Sequence, residues 1–151
     1  MQAVSFFGGV GLVEAYDLDP QPAASRLANI ATRGSVGSGD NVMIAGFILQ
    51  QGVTQVVVRA LGPTLSASGV AGPLRDPALE LRDSQGSLLS GNDNWQQSAF
   101  QAAQLTAAGL GPAFPVESAL TTTLNTGNYT AVVRGSNGTS GIALVEVYSL
   151  P

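Results

Sequence analysis

Alternating apolar and polar residues predict short β-strands along most of the chain. Two of these stretches are near-copies of each other, residues 9–18 (GVGLVEAYDL) and residues 141–150 (GIALVEVYSL). In each copy, successive side chains fall on opposite faces of a strand. A compact domain usually has one place for a given strand. The chain therefore either uses the copies as matched edge strands of one sandwich or offers the first copy to another molecule.

Further strands are predicted at 26–33, 54–60, 78–82, 87–90, 118–124 and 129–134. Residues 41–49 are almost continuously apolar, as in a central strand that is covered on both faces, and Gly46 within them suggests a bulge or a close backbone approach. A polar turn at 83–86 ends in Gly86 and predicts a hairpin.

One helix is predicted at residues 95–108, which are rich in alanine and glutamine. Asp93 or Asn94 would cap it and Gly109 would end it. The side chains spaced to share one face are Phe100, Gln104 and Leu105. The predicted fold is an all-β, antiparallel β-sandwich, jelly-roll-like, with one short inserted helix. The prolines and aspartates at 17–22 suggest a boundary between an N-terminal strand arm (1–19) and the β-sandwich domain (20–151).

Composition narrows the function. The 151-residue chain has no cysteine and no histidine, which excludes disulfides, histidine-ligated metal sites and the Ser-His-Asp triad. Only 11% of its residues are charged, with a net charge of −4, so nucleic acid is not an expected partner. No stretch is long and apolar enough for a membrane span. The low charge indicates a chain that packs against copies of itself or acts outside the cell, although a large core under a neutral surface explains it equally well.

Several motifs resemble a known class. Residues 79–95 (LELRDSQGSLLSGNDNW), 127–135 (GNYTAVVRG) and the closing 141–148 (GIALVEVY) resemble the bacterial pre-peptidase C-terminal type of β-sandwich. Residues 25–34, 39–47 and 58–63 look more closely like an uncharacterised tandem domain of large secreted or surface proteins. The resemblance implies a secreted or cell-surface, non-catalytic module. By this resemblance, the N-terminal copy at residues 9–18 would be the closing strand of a preceding unit.

The leading hypothesis is therefore an extracellular structural subunit that assembles with copies of itself, into filaments, by donating its N-terminal strand to a neighbour. The side chains expected to insert are Val4, Phe6, Phe7, Val10, Leu12, Val13 and Tyr16. The alternative is a carbohydrate-binding or pre-peptidase-type accessory module, with polysaccharide as its partner. Trp95 would then be the ligand-stacking residue, although a lone tryptophan more often seals a core.

No cofactor is expected, but calcium is considered. Asp83, Asn92 and Asp93 carry the oxygen ligands that calcium prefers, although the same residue types are common in turns. Glu14 and Glu146 each interrupt an apolar strand and could serve as a pair of catalytic carboxylates. We expect instead that a strand glutamate pairs with one of the strand arginines, Arg33, Arg59 or Arg134, or lies on a solvated face, and we do not expect an enzyme.

Overall fold

The computed structural model describes residues 12–15, 28–50 and 52–150. In this part of the chain, eight strands form two four-stranded antiparallel sheets. The strands are β1 (Asn29–Val36), β2 (Met43–Leu49), β3 (Thr54–Leu61), β4 (Pro77–Arg82), β5 (Leu88–Asn92), β6 (Ser118–Leu124), β7 (Gly127–Gly135) and β8 (Gly141–Ser149). The first sheet has the order β1-β8-β3-β6 and the second β2-β7-β4-β5. This is the strand order of a jelly roll, so the predicted fold class is confirmed.

The main core lies between the sheets and follows the period-2 pattern of the strands. In β8, Ala143, Val145 and Val147 point into it, and in β4 Leu79 and Leu81 do so. A second cluster lies on the outer face of the first sheet, under the helix α1 (Ala99–Ala107). The helix therefore closes one face of the sandwich rather than entering its core.

The predicted helix was placed correctly but begins later than expected. Ser98, not Asp93 or Asn94, is its N-cap and accepts a hydrogen bond from the backbone N–H of Gln101. Leu105 is fully buried, whereas Phe100, predicted on the same face, is 73% exposed. The helix starts four residues after Trp95, so its buried face is set by its packing on the sheet and not by the spacing assumed for a longer helix.

Two glycines test the local predictions. Gly86 has a φ of 78° in the turn between β4 and β5, so the predicted hairpin is confirmed. The bulge suggested by Gly46 is wrong, because this residue pairs regularly with Thr130 in an unbroken ladder. A Cβ at Gly46 would come no closer than 3.9 Å to any neighbouring atom, so no close backbone approach explains the glycine either.

The two copies of the repeated sequence have different structures. The second copy forms β8, the strand between β1 and β3. In the first copy, Leu12, Val13, Glu14 and Ala15 form no strand, and the rest of that copy lies outside the described residues. The strand predicted for these four residues is therefore wrong for a single chain. No helix in the described ranges is long and apolar enough to cross a membrane.

Candidate functional site: the cleft between β1 and β2

An open cleft of about 880 Å³ separates the two sheets at the edge formed by β1 and β2. Its walls are mainly apolar. Val56, Val145 and Val147 line it from the first sheet, and Phe47 and Tyr129 line it from the second. The two aromatic rings are stacked, with their centroids 5.6 Å apart and their planes at 26°.

Burial along the inner face of β1 decreases with distance from the β1–β2 connection. Residues directly opposite in an antiparallel ladder share a face, so Ile30, Thr32 and Val36, which lie opposite the core face of β8, point toward the other sheet. Val36, next to the connection, is fully buried. Thr32 is exposed and Ile30 is 39% exposed, so apolar core surface reaches solvent at the far end of β1.

Of the residues predicted to insert into a neighbour, only Leu12 and Val13 lie in the described ranges. Leu12 is 83% exposed and Val13 is 91% exposed, and both line the mouth of the cleft together with Glu14 and Ala15. The other predicted donor residues, Val4, Phe6, Phe7, Val10 and Tyr16, lie outside the described residues. Residues 12–15 thus lie next to the cleft without filling it.

Glu146 is held by an arginine, as expected. Arg59 on β3 donates to Glu146 Oε2 through Nε at 2.9 Å and through Nη2 at 2.5 Å. The same guanidinium donates to the carbonyl of Leu110 and to the hydroxyl of Tyr148, and it lies 5.2 Å from the centroid of the Tyr148 ring. The ion-paired side chains are 15% and 12% exposed. The cluster ties β3 to β8 and to the segment after α1, which is a structural role.

The phenol of Tyr148 responds to this environment. Burial raises the pKa of Tyr148 above 10.0. Glu146, which accepts a 3.1 Å hydrogen bond from the Tyr148 hydroxyl, raises this pKa further. The charge of Arg59 lowers the pKa of Tyr148 but does not reverse the shift. The tyrosine therefore stays neutral at physiological pH and acts as a hydrogen-bond donor.

A second buried carboxylate had no signal in the sequence. Glu117 is fully buried beside the 3₁₀ turn Pro63–Ser68. One carboxylate oxygen accepts from the backbone N–H groups of Gly62 and Thr64 at 3.0 and 2.8 Å. The other accepts from the Thr64 hydroxyl at 2.6 Å and from the N–H of Phe114 at 3.3 Å. Four donors thus compensate the burial of one charge, and the residue locks two loops together.

Trp95 is not placed to stack on a ligand. It is 8% exposed and packs with Val57, Leu105 and Ala119 under the helix. Its backbone N–H donates to the carbonyl of Glu117 at 2.9 Å. A stacking platform needs an exposed ring face, so the core role weighed for this tryptophan is the one that its burial fits.

The three calcium candidates do not form one site. Asp83 lies in the turn of the β4–β5 hairpin, where its Oδ1 accepts from the N–H groups of Gln85 and Ser87. Asn92 lies opposite Leu79 at the other end of that hairpin, roughly 13 Å away at the rise of a strand. Asp93 is adjacent to Asn92. Among the described residues, no three acidic side chains lie close enough together to hold a metal ion.

Solved structures of other proteins are similar to this chain. No known protein family matches the chain, and no curated protein is similar to it. The chain is similar to the pre-peptidase C-terminal domain of a collagenase from Bacillus anthracis, with 12% sequence identity and a TM-score of 0.49. The alignment covers 80% of this chain and 89% of that domain. The resemblance to the uncharacterised tandem domain stays a prediction.

Proposed function

We propose that this chain is a non-catalytic, extracellular structural subunit that assembles with copies of itself by donating its N-terminal strand to a neighbour. The observation that carries the proposal is the open apolar cleft between two edge strands, with Leu12 and Val13 almost fully exposed at its mouth. An exposed edge with unpaired backbone groups is a template for another strand.

The repeated sequence supports the same function. Residues 141–150 already supply the inner strand β8, which is bonded on both sides by β1 and β3. The copy at residues 9–18 has the same apolar alternation, and in the part of the chain that the structure describes the place between β1 and β3 is taken by β8. Strand addition to a neighbour would pair the backbone of this copy in a ladder and cover its alternate side chains.

Energetic considerations favour an assembly that depends on concentration. Only alternate side chains of an added strand enter the cleft, so burial of one aliphatic side chain such as Val13 contributes about 1.5–3 kcal/mol, and four ladder hydrogen bonds add about 4 kcal/mol. Association costs about 4–15 kcal/mol in lost translational and rotational freedom. The two sums are of similar size, so more than four residues of the arm must take part in a stable contact.

The experiment is light scattering of the full chain across a concentration series, with negative-stain electron microscopy of the concentrated sample. Donation from one copy to the next is a head-to-tail contact, so we expect open filaments. A variant lacking residues 1–18 should stay monomeric and folded, because all eight strands lie between Asn29 and Ser149. A full chain that is monomeric at every concentration refutes the proposal, as does a shortened chain that unfolds.

An accessory module that binds polysaccharide is the second candidate. The stacked pair of Phe47 and Tyr129 on the cleft wall favours it, since aromatic faces are common in sugar sites and the cleft has the size of a small-molecule pocket. Pull-down on insoluble polysaccharides tests it. Binding that is lost in Tyr129→Ala, while the variant lacking residues 1–18 binds normally, would support this module over strand donation.

A further inference from the structure

We propose that the second edge of β1, which pairs with no strand among the described residues, is the acceptor and that residues 12–15 of a second copy add to it antiparallel, with Val13 opposite Thr32. This inference rests on the proposed function and specifies its docking surface. The strand would extend the first sheet across the mouth of the cleft.

The register follows from a pairing that β1 already makes. On its other edge β1 binds β8 antiparallel, with Thr32 opposite Val145 and Ile30 opposite Val147. The sequence Leu-Val-Glu at 144–146 recurs at 12–14 in the arm. The matching alignment places Val13 where Val145 stands and Ala15 where Val147 stands. β1 therefore already pairs with this sequence along one edge. A strand added along its other edge would lie beside the same two inward side chains, Thr32 and Ile30.

In this register the apolar side chains of the added strand face the apolar cleft and its carboxylate faces water. Residues opposite each other in a ladder share a face, so Val13 and Ala15 would point into the cleft beside Thr32 and Ile30. Glu14 would lie opposite Ala31 on the outer face, where a carboxylate stays in water. A register shifted by one residue would place that carboxylate in an apolar cleft at a large cost in desolvation.

The other strand edges of the sandwich are less suitable. At the β6 edge the inward residues Leu120 and Leu124 are already buried, so an added strand would cover no apolar surface there. β5 is five residues long, and its register with β4 shifts between Leu81 and Arg82. The β2 edge borders the same cleft, with Ala45 half-buried on its inner face, and is the alternative that the experiment must exclude.

The occupant we propose is the arm of a second copy. In a single chain Val13 is 91% exposed although it lies at the mouth of the cleft, and Thr32 on the inner face of β1 is exposed as well, so residues 12–15 leave that face uncovered. Each subunit then contributes one donor arm and one acceptor edge. This is the arrangement that continues from subunit to subunit.

The test is disulfide trapping. The chain has no cysteine, so every disulfide formed joins the introduced residues. Subunits carrying Val13→Cys are mixed with subunits carrying Thr32→Cys, one of them with a mass tag, and oxidised. We expect a mixed covalent dimer on non-reducing gels, at least tenfold more abundant than with Thr123→Cys on the distant β6 edge. Ala31→Cys, on the outer face of β1, is the control for register and should be trapped by Val13→Cys less than Thr32→Cys is. Trapping by Ala45→Cys would indicate docking at β2.

The outcomes separate this inference from the proposed function. If the full chain assembles and needs residues 1–18, but Val13→Cys is trapped by Ala45→Cys or Thr123→Cys instead, the β1 acceptor is wrong and strand donation stands. If the chain does not assemble, both fail. A double Val13→Cys/Thr32→Cys variant should form a ladder of covalent multimers, whereas closure within one chain only would overturn the choice of a second copy.

Discussion

Replacing Glu117 with glutamine tests how the loop before β6 is held. The carboxylate accepts four hydrogen bonds, two at each oxygen, from Gly62, Thr64 and Phe114. An amide keeps one acceptor oxygen and turns the other into a donor. In the better orientation the amide oxygen faces the N–H groups of Gly62 and Thr64, and the Thr64 hydroxyl rotates to accept.

The magnitude follows from these four bonds. The bonds from the backbone N–H groups of Gly62 and Thr64 remain but change from charge-assisted to neutral, a loss of about 1 kcal/mol each. The N–H of Phe114 loses its acceptor, which costs about 1–3 kcal/mol, and the easier burial of a neutral amide offsets part of the total. We expect Glu117→Gln to lower the free energy of unfolding by about 3 kcal/mol and the melting temperature by about 6–12 °C.

The assay is urea unfolding followed by the fluorescence of Trp95, the one tryptophan of the chain, whose backbone N–H donates to the carbonyl of Glu117. Asp40→Asn, at an exposed position in the β1–β2 connection, is the matched control and should change the free energy of unfolding by less than about 0.5 kcal/mol. A loss below about 1 kcal/mol for Glu117→Gln would show that the four hydrogen bonds do not hold the loop as described.

Three further predictions concern the scaffold. Glu146→Gln leaves the charge of Arg59 largely buried without its partner and should lower the free energy of unfolding in urea by about 3 kcal/mol. An unchanged free energy would contradict the structural role of the Arg59–Glu146 ion pair. Because the folded pKa of Tyr148 is raised, its contribution to stability is complete below pH 10.0 and is lost as the pH rises through the folded value. Ultraviolet titration should therefore show one tyrosine ionising above the ordinary range, and Tyr148→Phe should remove that step. Gly62→Ala would place a Cβ against the carbonyl oxygen of Leu74 and should lower the yield of folded protein, whereas normal yield and melting temperature would refute that close approach.

Local patterns predicted the strands because the period of two along a strand is visible within a few residues. Val145 and Val147 point into the core, and the intervening Glu146 points away, as the alternation indicated. The hairpin turn was equally accessible, since Gly86 supplies a left-handed conformation that few other residues adopt.

Nonlocal packing explains what the sequence did not reveal. Asp93, Asn94 and Ser98 are all suitable helix caps, and only the contact of Leu105 with the sheet selects the last of them. The donors to Glu117 lie 3 to 55 residues away along the chain, so no short motif marks this carboxylate. The cleft is lined by residues of both sheets that are far apart in the sequence, so no local pattern marks it.

Amide hydrogen exchange across a concentration series tests strand donation most directly. Backbone amides on the free edge of β1 should exchange more slowly as the protein is concentrated, because they gain ladder hydrogen bonds, while those on the free edge of β6 should not change. The variant lacking residues 1–18 should show no concentration dependence at either edge. Exchange at β1 that is the same in dilute and concentrated full chain would contradict the account.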